Sequence, residues 1–382
     1  MRSGKGTMAP RASVPLASLS TLGVGGAARW FVRADDAQDV AAAHGWCEEQ
    51  GIPWFVLGGG SNVVIADQGF DGLVLQIAIE GISITRDAGD TLVRAGAGED
   101  WDRVVGTVVA RGLAGVECLS GIPGTVGGTP IQNVGAYGQE VAETIERVTV
   151  YDCVDREIRA LSAAECGFAY RMSRFKAEAA GRFVVCDVTL RVRPGPPTST
   201  YADVAGYLKR ADVSSPTVSI VRDAVLAIRR SKGMVVDDDD PDSRSVGSFF
   251  MNPVVTTADV ERVASIAGER PPCFAMDEGR VKIPAAWLIE RSGFRRGHAD
   301  GAVRISTKHP LALVNQGGAT AGDVSSASAR VPSQDVANCP NPSSWRSHII
   351  SSGSKLWVCT HILLHGRPSD ARETTSSNIP RR

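Results

Sequence analysis

The chain has 382 residues, 43% hydrophobic and 22% charged, which is the composition of a globular protein long enough for two or three domains. Its formal net charge of -1 gives no general field for attracting nucleic acid or a membrane surface. No apolar run reaches ~18 residues and the basic N-terminus lacks an apolar segment, so neither a transmembrane helix nor a signal peptide is predicted. The eight cysteines include no C-x-x-C pair, which favours free thiols in a reducing cytoplasm.

The first part of the chain alternates predicted strands with predicted helices. In the segment 99–111, Trp101, Val104, Val105 and Val108 recur at helical spacing, so they share one apolar face. Trp101 is therefore expected in the core. The predicted strands are 27–32, 52–57, 73–77, 82–84 and 91–95, and the predicted helices are 37–50 and 99–111.

A glycine cluster, GGGSN, directly follows the predicted strand 52–57. Successive backbone N–H groups in such a turn form a concave nest that suits a phosphate. The next residues, 63–65, are β-branched and favour a strand, so this is not the strand–GxGxxG–helix dinucleotide motif. Alone the cluster is weak evidence, because a glycine-rich hairpin fits it equally well.

A longer stretch, GIPGTVGGTPIQNVGAYG, covers residues 121–138 and holds six glycines and two prolines. Glycine permits positive φ and leaves the backbone N–H groups open to a ligand. Loops of this length are usually functional or disordered, and the apolar residues within this one would anchor it to a core. A long surface loop is the alternative interpretation.

The rest of the chain before residue 325 is again mixed. An acidic run at 237–240, followed by Asp242, is interpreted as a solvated loop, because its spacing does not arrange carboxylates around a cation. No metal site is predicted. The predicted strands are 145–152, 157–161, 183–192 and 311–315, the predicted helices are 163–168, 218–232 and 283–293, and 193–199 is a proline-rich linker.

Four blocks carry a resemblance to a known family. They are LGGGSNVVIAD (57–67), SGIPGTVGGTPIQNVGAYGQEV (120–141), YRMSRFK (170–176) and SVGSFFMNPVV (245–255). In order and spacing they resemble the signature blocks of UDP-N-acetylenolpyruvoylglucosamine reductase. The resemblance covers about residues 16–324.

The resemblance implies an α+β protein. It has a two-part FAD-binding region of the vanillyl-alcohol oxidase (PCMH) type and a smaller α+β substrate-binding domain. The expected divisions are a disordered N-terminus at 1–13, FAD-binding parts at 14–79 and 80–196, a substrate-binding domain at 200–323 and a poorly ordered tail at 325–382.

The implied activity is reduction of UDP-N-acetylglucosamine enolpyruvate to UDP-N-acetylmuramate for peptidoglycan, by hydride transfer from NADPH through FAD. A cytoplasmic monomer is expected. The FAD would be noncovalent, because none of the six histidines lies in a glycine cluster. Another FAD-dependent oxidoreductase of this fold, or a flavin-binding relic without turnover, remain alternatives.

The resemblance also assigns site residues. Arg171 would stabilise the enolate formed beside the substrate carboxylate, and Ser248 would deliver the proton. Tyr201, Lys232 and Asn252 would contact the UDP-sugar, with Lys232 also near Ser248, and Tyr201 on a mobile loop. The residues expected to hold FAD are Gly58, Gly59, Gly60, Ser61, Asn62, Gly121, Ile122, Pro123, Gly124, Gly127 and Gly128, with Arg229 as a cationic contact.

The tail from Ser325 departs from the family pattern. The family ends in a block like L-x-P-E-P, whose glutamate acts with the arginine at the enolate. After Glu290 the only glutamate is Glu373, in ARETTS, which does not resemble that block. The abrupt change indicates a frameshift or a misjoined reading frame and implies impaired turnover. The cysteines and histidines of the tail match no zinc template.

Overall fold

A computed structural model describes residues 9–250, 252–276 and 279–330, together with the backbone of 356–357. Its N-terminal part is built on a four-stranded sheet. The elements are β1 (Arg11–Pro15), β2 (Ala27–Ala34), α1 (Ala37–Gln50), β3 (Trp54–Leu57), β4 (Val64–Ile65) and β5 (Phe70–Ile77). The sheet order is β1-β2-β5-β3, with β1 antiparallel to β2, and β5 parallel to both β2 and β3.

Local chemistry fixes the ends of α1. The Asp36 side chain accepts a hydrogen bond from Asp39 N, and Gly51 ends the helix at φ +62°. The structure moves one expected boundary. The segment 1–13, expected to be disordered, includes the start of β1 at Arg11, because this strand pairs with the edge of β2.

A second, antiparallel sheet follows. The elements of this part of the chain are β6 (Ile82–Asp87), β7 (Asp90–Gly96), α2 (Trp101–Val109), β8 (Leu113–Ala114), α3 (Gly128–Gln132), β9 (Gly135–Ala136), β10 (Gln139–Glu140), β11 (Ile145–Asp152), β12 (Glu157–Ser162) and β13 (Phe183–Pro194). Strands β9 and β10 pair with each other as a separate two-stranded sheet. The main order is β12-β11-β13-β7-β6, and β8 pairs with the end of β13. Strands β6 and β7 form a hairpin, with Ala88 and Gly89 at positive φ in its turn.

The core of this region joins β5, α2 and the second sheet. Trp101 is 1% exposed and donates from Nε1 to Leu119 O at 3.0 Å, which confirms the predicted core position. The predicted helix 163–168 is wrong. A single turn forms there and ends at Gly167, whose φ is +56°.

Within the described ranges, the third part contains five helices and two small sheets. Its elements are α4 (Ala202–Arg210), α5 (Val218–Ser231), β14 (Val254–Val255), α6 (Thr257–Ala267), β15 (Phe274–Ala275), β16 (Val281–Lys282), α7 (Ala285–Arg291), β17 (Ala299–Asp300), β18 (Val303–Ile305), β19 (Leu313–Asn315) and α8 (Ala321–Arg330). The sheet orders are β14-β16-β15 and β17-β18-β19. Helices α4 and α5 pack around Cys118 and Tyr137, so they lie against the second sheet's connections.

The C-terminal helix α8 crosses the boundary expected at residue 325. Val324 and Ala327 are buried in a cluster with Leu22 and Phe249, which explains why the helix continues to Arg330. Its N-terminus is held by Asp67, whose carboxylate accepts from Ala321 N at 2.7 Å and Gly322 N at 3.0 Å. Beyond it, β20 (Leu356–Trp357) pairs with β4. The other tail predictions lie outside the described residues.

Within the described ranges, no helix is both long enough and apolar enough to cross a membrane. The six cysteines of those ranges are free thiols. Four of them are buried, as predicted, whereas Cys273 is exposed. Burial raises the pKa of Cys47, Cys118, Cys166 and Cys186 to about 12, so these four thiols stay protonated.

Candidate active site

The two glycine stretches, far apart in sequence, lie against each other. Ser61 Oγ donates to Pro123 O at 3.0 Å. A Cβ placed on Gly59 would lie 2.9 Å from Gly124 Cα, and one on Gly124 would lie 2.7 Å from Ser61 Oγ. Only glycine permits this close approach of the two backbones.

The joined stretches form one wall of an open cavity of about 680 Å³. The cavity draws lining residues from all three parts of the chain. The sequence-predicted site residues that line it are Gly58, Gly59, Gly60, Ser61, Asn62, Ile122, Pro123, Gly124, Gly127, Gly128, Arg171, Arg229, Ser248 and Asn252. The structure thus brings the four sequence blocks together.

Gly121 has a different position from its neighbours. Its N–H donates to Asp102 Oδ1 at 2.6 Å, and Asp102 also accepts two hydrogen bonds from Arg222, at 2.6 and 2.7 Å. Burial alone would raise the pKa of Asp102, but the hydrogen bonds from Arg222 and Gly121 outweigh burial and lower it. Gly121 is not among the described lining residues, so it anchors the stretch rather than facing the cavity.

Arg229 is a buried cation at the cavity wall, only 6% exposed. Its Nη2 donates to Met234 O at 2.8 Å, while Nε is buried and has no hydrogen-bond partner within the described ranges. Burial lowers the pKa of Arg229, against the influence of Tyr137 and Asp102. A guanidinium with an unsatisfied donor, beside glycine backbone, fits a phosphate-containing ligand, so these residues are compatible with the diphosphate of FAD.

Arg171 lines the cavity and has an unusual backbone, with φ at +55°. Its guanidinium donates to Asn133 O at 3.3 Å and to Gly135 O. Lys176 Nζ in turn donates to Arg171 O at 2.7 Å. Burial, together with the positive charge of Arg171, lowers the pKa of Lys176 to about 7. These contacts fix Arg171 in a conformation that few non-glycine residues adopt.

Ser248 is held at the cavity by its neighbours in sequence. Gly247 has φ at +75°. Phe249 and Phe250 are buried, and their N–H groups donate to Leu311 O at 2.7 and 3.4 Å. Ser248 Oγ lies 3.0 Å from His309 Nε2. Sequence analysis missed His309, because a single histidine in a loop carries no signal of such a contact.

Asn252 lies at the exposed end of the same segment. Its Oδ1 accepts from Ala285 N at 2.8 Å, at the start of α7. This bond fixes the carboxamide at the cavity rim.

Tyr201 and Lys232 lie together, but not among the described lining residues of the cavity. Both lie beside the ring of Tyr137. The Tyr201 ring centroid is 5.6 Å from that of Tyr137, and Lys232 Nζ is 5.6 Å from the same ring. Lys232 Nζ also forms an ion pair with Asp203 at 2.7 Å. The expected proximity of Lys232 to the Ser248 hydroxyl stays a prediction, and the hydrogen-bond partner that the structure gives this hydroxyl is His309.

The acidic run agrees with its interpretation as a solvated loop, since Asp237, Asp238 and Asp239 are exposed. Asp242 is different. It is 2% exposed and accepts from Arg304 at 2.8 Å, so it anchors the loop to β18. Among the described residues, no group of His, Cys, Asp or Glu is placed to hold a metal ion.

Comparisons with known proteins agree with this geometry. A model described as "FAD binding domain" matches residues 28–161. One described as "UDP-N-acetylenolpyruvoylglucosamine reductase, C-terminal domain" matches 239–337, further than the sequence analysis predicted. With the two sheets and the glycine wall, these matches define an FAD-binding oxidoreductase. The fold is α+β and includes an FAD-binding region, as predicted.

The similar full-length proteins narrow this class. UDP-N-acetylenolpyruvoylglucosamine reductase of Thermobifida fusca (strain YX) is 49% identical over 322 residues, covering 82% of this chain and 90% of that protein. The Streptomyces coelicolor protein of the same name is 47% identical, covering 81% and 82%. The crystal structure of the Thermus caldophilus enzyme is 26% identical with a TM-score of 0.59, covering 85% and 95%. The chain belongs to the UDP-N-acetylenolpyruvoylglucosamine reductase family.

Proposed function

We propose that this chain reduces UDP-N-acetylglucosamine enolpyruvate to UDP-N-acetylmuramate, with NADPH as the hydride donor. The observation that carries the proposal is the shared cavity. Arg171 and Ser248, which lie on different parts of the chain, both face the space bounded by the two glycine stretches. A cation and a hydroxyl beside a flavin cradle are what this reduction requires.

FAD, when bound, supplies the hydride chemistry of the reaction. The residues that would hold it are Gly58 to Asn62, Ile122 to Gly124, Gly127, Gly128 and Arg229. Two observations support this assignment, namely the close glycine packing and the unsatisfied Nε of buried Arg229. No histidine lines the cavity within the described ranges, which supports noncovalent binding.

Arg171 would stabilise negative charge on the substrate. Addition of hydride to the vinyl carbon leaves an enolate next to the carboxylate. A fixed guanidinium can stabilise this negative charge by donating two hydrogen bonds in bidentate geometry. Arg171 is already held by Asn133 O, Gly135 O and Lys176, so little reorganisation is needed as the charge develops.

Ser248 would then deliver the proton. Its O–H bond breaks as a C–H bond forms at the carbon beside the carboxylate, leaving an alkoxide that solvent later reprotonates. A serine hydroxyl is a weak acid, so the reaction depends on the high basicity of the enolate and on stabilisation of the alkoxide.

Asn252, Lys232 and Tyr201 would bind the UDP-sugar. Asn252 lines the cavity, and the cluster of Tyr201, Tyr137 and Lys232 is joined to it through Arg229, which lies on the same helix end as Lys232. Tyr201 is 47% exposed, which supports a role in closing over a nucleotide. A cytoplasmic monomer is part of the proposal.

A flavin-binding relic is the second candidate. It is favoured by one observation, the absence of an L-x-P-E-P block from the 382 residues. The two candidates separate in one experiment. The purified chain should be yellow, should release its flavin on acid precipitation, and should oxidise NADPH faster when the enolpyruvyl substrate is present. A yellow protein whose NADPH oxidation ignores the substrate would favour the relic. A colourless protein that cannot take up FAD would reject both.

A further inference from the structure

His309 is the nearest side-chain partner that the structure gives Ser248, with Nε2 3.0 Å from Oγ. Ser248 lines the cavity, whereas His309 is not among the described lining residues. The imidazole therefore lies behind the hydroxyl as viewed from the cavity. The loop that carries it is rigid, because Ser306 Oγ accepts from both Lys308 N and His309 N at 3.1 Å.

The surroundings keep this imidazole neutral. Burial lowers the pKa of His309 to about 4, and the charges of Lys232, Arg296 and Arg229 act in the same direction. A neutral imidazole carries one N–H, and that hydrogen lies on either Nδ1 or Nε2. The two possibilities have opposite consequences for Ser248.

If Nε2 accepted the bond, the serine hydrogen would point at His309 and would be unavailable to a substrate in the cavity. If Nε2 donates, Ser248 Oγ accepts, and its own hydrogen is free to point into the cavity. Only the second arrangement still has a donor in place after the serine has given up its proton.

We propose that His309 is a positioning residue for Ser248, donating from Nε2–H to Oγ so that the serine hydrogen is directed into the cavity and the resulting alkoxide is stabilised. This inference rests on the proposed function of Ser248. In the step itself, the Ser248 O–H bond breaks and its hydrogen forms the new C–H bond of the product. His309 keeps its proton and strengthens its hydrogen bond, and solvent restores the hydroxyl.

Two substitutions test whether the N–H donor of His309, rather than the size of its side chain, assists Ser248. His309→Gln keeps a neutral N–H donor, and His309→Leu removes it at similar size. Each variant is prepared with FAD, its flavin is reduced chemically, and it is then mixed rapidly with the enolpyruvyl substrate. We expect His309→Leu to slow substrate-dependent flavin reoxidation by about 10–100-fold, the effect of one hydrogen bond to a developing charge, with His309→Gln much closer to the original rate. KM should change little, because His309 does not line the cavity.

The same measurement in a Ser248→Ala background tests whether His309 acts through the serine. There His309→Leu should cause no further slowing. An equal additional loss would overturn the inference, and so would a normal rate in His309→Leu while Ser248→Ala is slow. If Ser248→Ala itself reoxidises at the original rate, the proposed proton donor is wrong and the role of His309 falls with it.

The tautomer of the His309 ring can be measured independently of turnover. In the chain labelled with ¹⁵N at histidine, long-range ¹H–¹⁵N correlation should show His309 as the neutral Nε2–H tautomer near pH 7, assigned by comparison with His309→Gln. An Nδ1–H tautomer or a charged ring would contradict the inference. Flavin content and the unfolding midpoint of each variant show whether it folds.

Discussion

Ser61 donates its hydroxyl hydrogen to the carbonyl oxygen of Pro123, although 62 residues separate them. The bond is possible because Gly124, the next residue, has no side chain where its Cβ would meet Ser61 Oγ. The two glycine stretches that form this wall of the cavity thus depend on each other's geometry. This dependence can be measured by substitution.

Gly124→Ala should lower the stability of the folded chain, measured without bound FAD. The reason is that φ is +118° at this residue and the added methyl group would lie 2.7 Å from Ser61 Oγ. A cost of about 1–3 kcal/mol is expected for such strain. The matched control is Gly128→Ala, in α3, where an added Cβ meets no described atom within 4 Å. The thermal unfolding midpoint should fall for Gly124→Ala and stay level or rise for Gly128→Ala. Equal midpoints for the two variants would refute the close-approach argument.

Ser248→Ala should separate the two halves of the reaction. Flavin reduction by NADPH should continue at nearly its original rate, because it needs no proton from Ser248. Reoxidation by the enolpyruvyl substrate should slow by about 10²–10⁴-fold, as expected for the loss of a positioned general acid. Rapid mixing measures each half alone. Slowing of both halves to the same extent would indicate that Ser248 has a structural role.

Lys176→Met should impair the use of the substrate without loss of flavin. The ammonium of Lys176 donates to Arg171 O, so its removal frees Arg171 from its left-handed conformation. We expect a drop of about tenfold in kcat/KM for the enolpyruvyl substrate, with unchanged FAD content. Lys209→Met, on the exposed face of α4, is the control. Loss of FAD from Lys176→Met would show that the lysine supports the whole cradle instead.

The pH dependence of stability should contain a contribution from His309. Its pKa is about 4 in the folded chain and 6.5 when unfolded, so between these values the unfolded chain binds more protons. The contribution is a destabilisation that is absent above pH 6.5, grows as the pH falls, and is complete below about 4, reaching at most about 3 kcal/mol.

The comparison that isolates it is the unfolding midpoint of the original chain against His309→Gln from pH 7 to 4. Carboxylates such as Asp102 titrate equally in both proteins, so they cancel in the difference. The variant should lose less stability as the pH falls. Parallel curves would mean that His309 has an ordinary pKa in the folded chain.

Replacement of the tail tests the cause of the proposed weak turnover. A chain joined after Arg330 to a family-like C-terminus with L-x-P-E-P should reduce the substrate about 10²-fold faster than the chain with its present tail. The flavin content of the two should be the same. The control carries alanine in place of the glutamate of that block and should remain slow. Equal activity in all three chains would show that the present tail already supplies what the glutamate provides.

The sequence predicted the fold class and the glycine-rich part of the cavity wall, because glycine patterns and signature blocks reflect local requirements of the backbone. It did not predict α4, α6 or α8. The apolar residues of α4, Val204 and Leu208, face Cys118 and Tyr137, which lie far away in sequence. The contact of His309 with Ser248 could not be predicted for the same reason, since the two residues lie 61 positions apart in the sequence.

The placement of Lys232 shows a different limit. The resemblance assigned it to the substrate and to a place near Ser248, and both assignments stay predictions. In the structure Asp203 neutralises it, and the ring of Tyr137 lies beside it. Which carboxylate pairs with a given lysine depends on how two helices pack, and residue spacing alone does not determine that.

Asp102 links the cradle to the order in which the chain is made. It holds Gly121, which a ribosome adds 19 residues later, but its cation, Arg222, follows only after 120 residues. Until Arg222 emerges and α5 has docked, the carboxylate that fixes the start of the long glycine stretch has no partner of opposite charge from that helix. The nascent chain therefore cannot complete its cofactor site when the FAD-binding sequence has been synthesised. The lining of the cavity extends to Leu311, so the complete site requires residues that are synthesised well after the FAD-binding sequence.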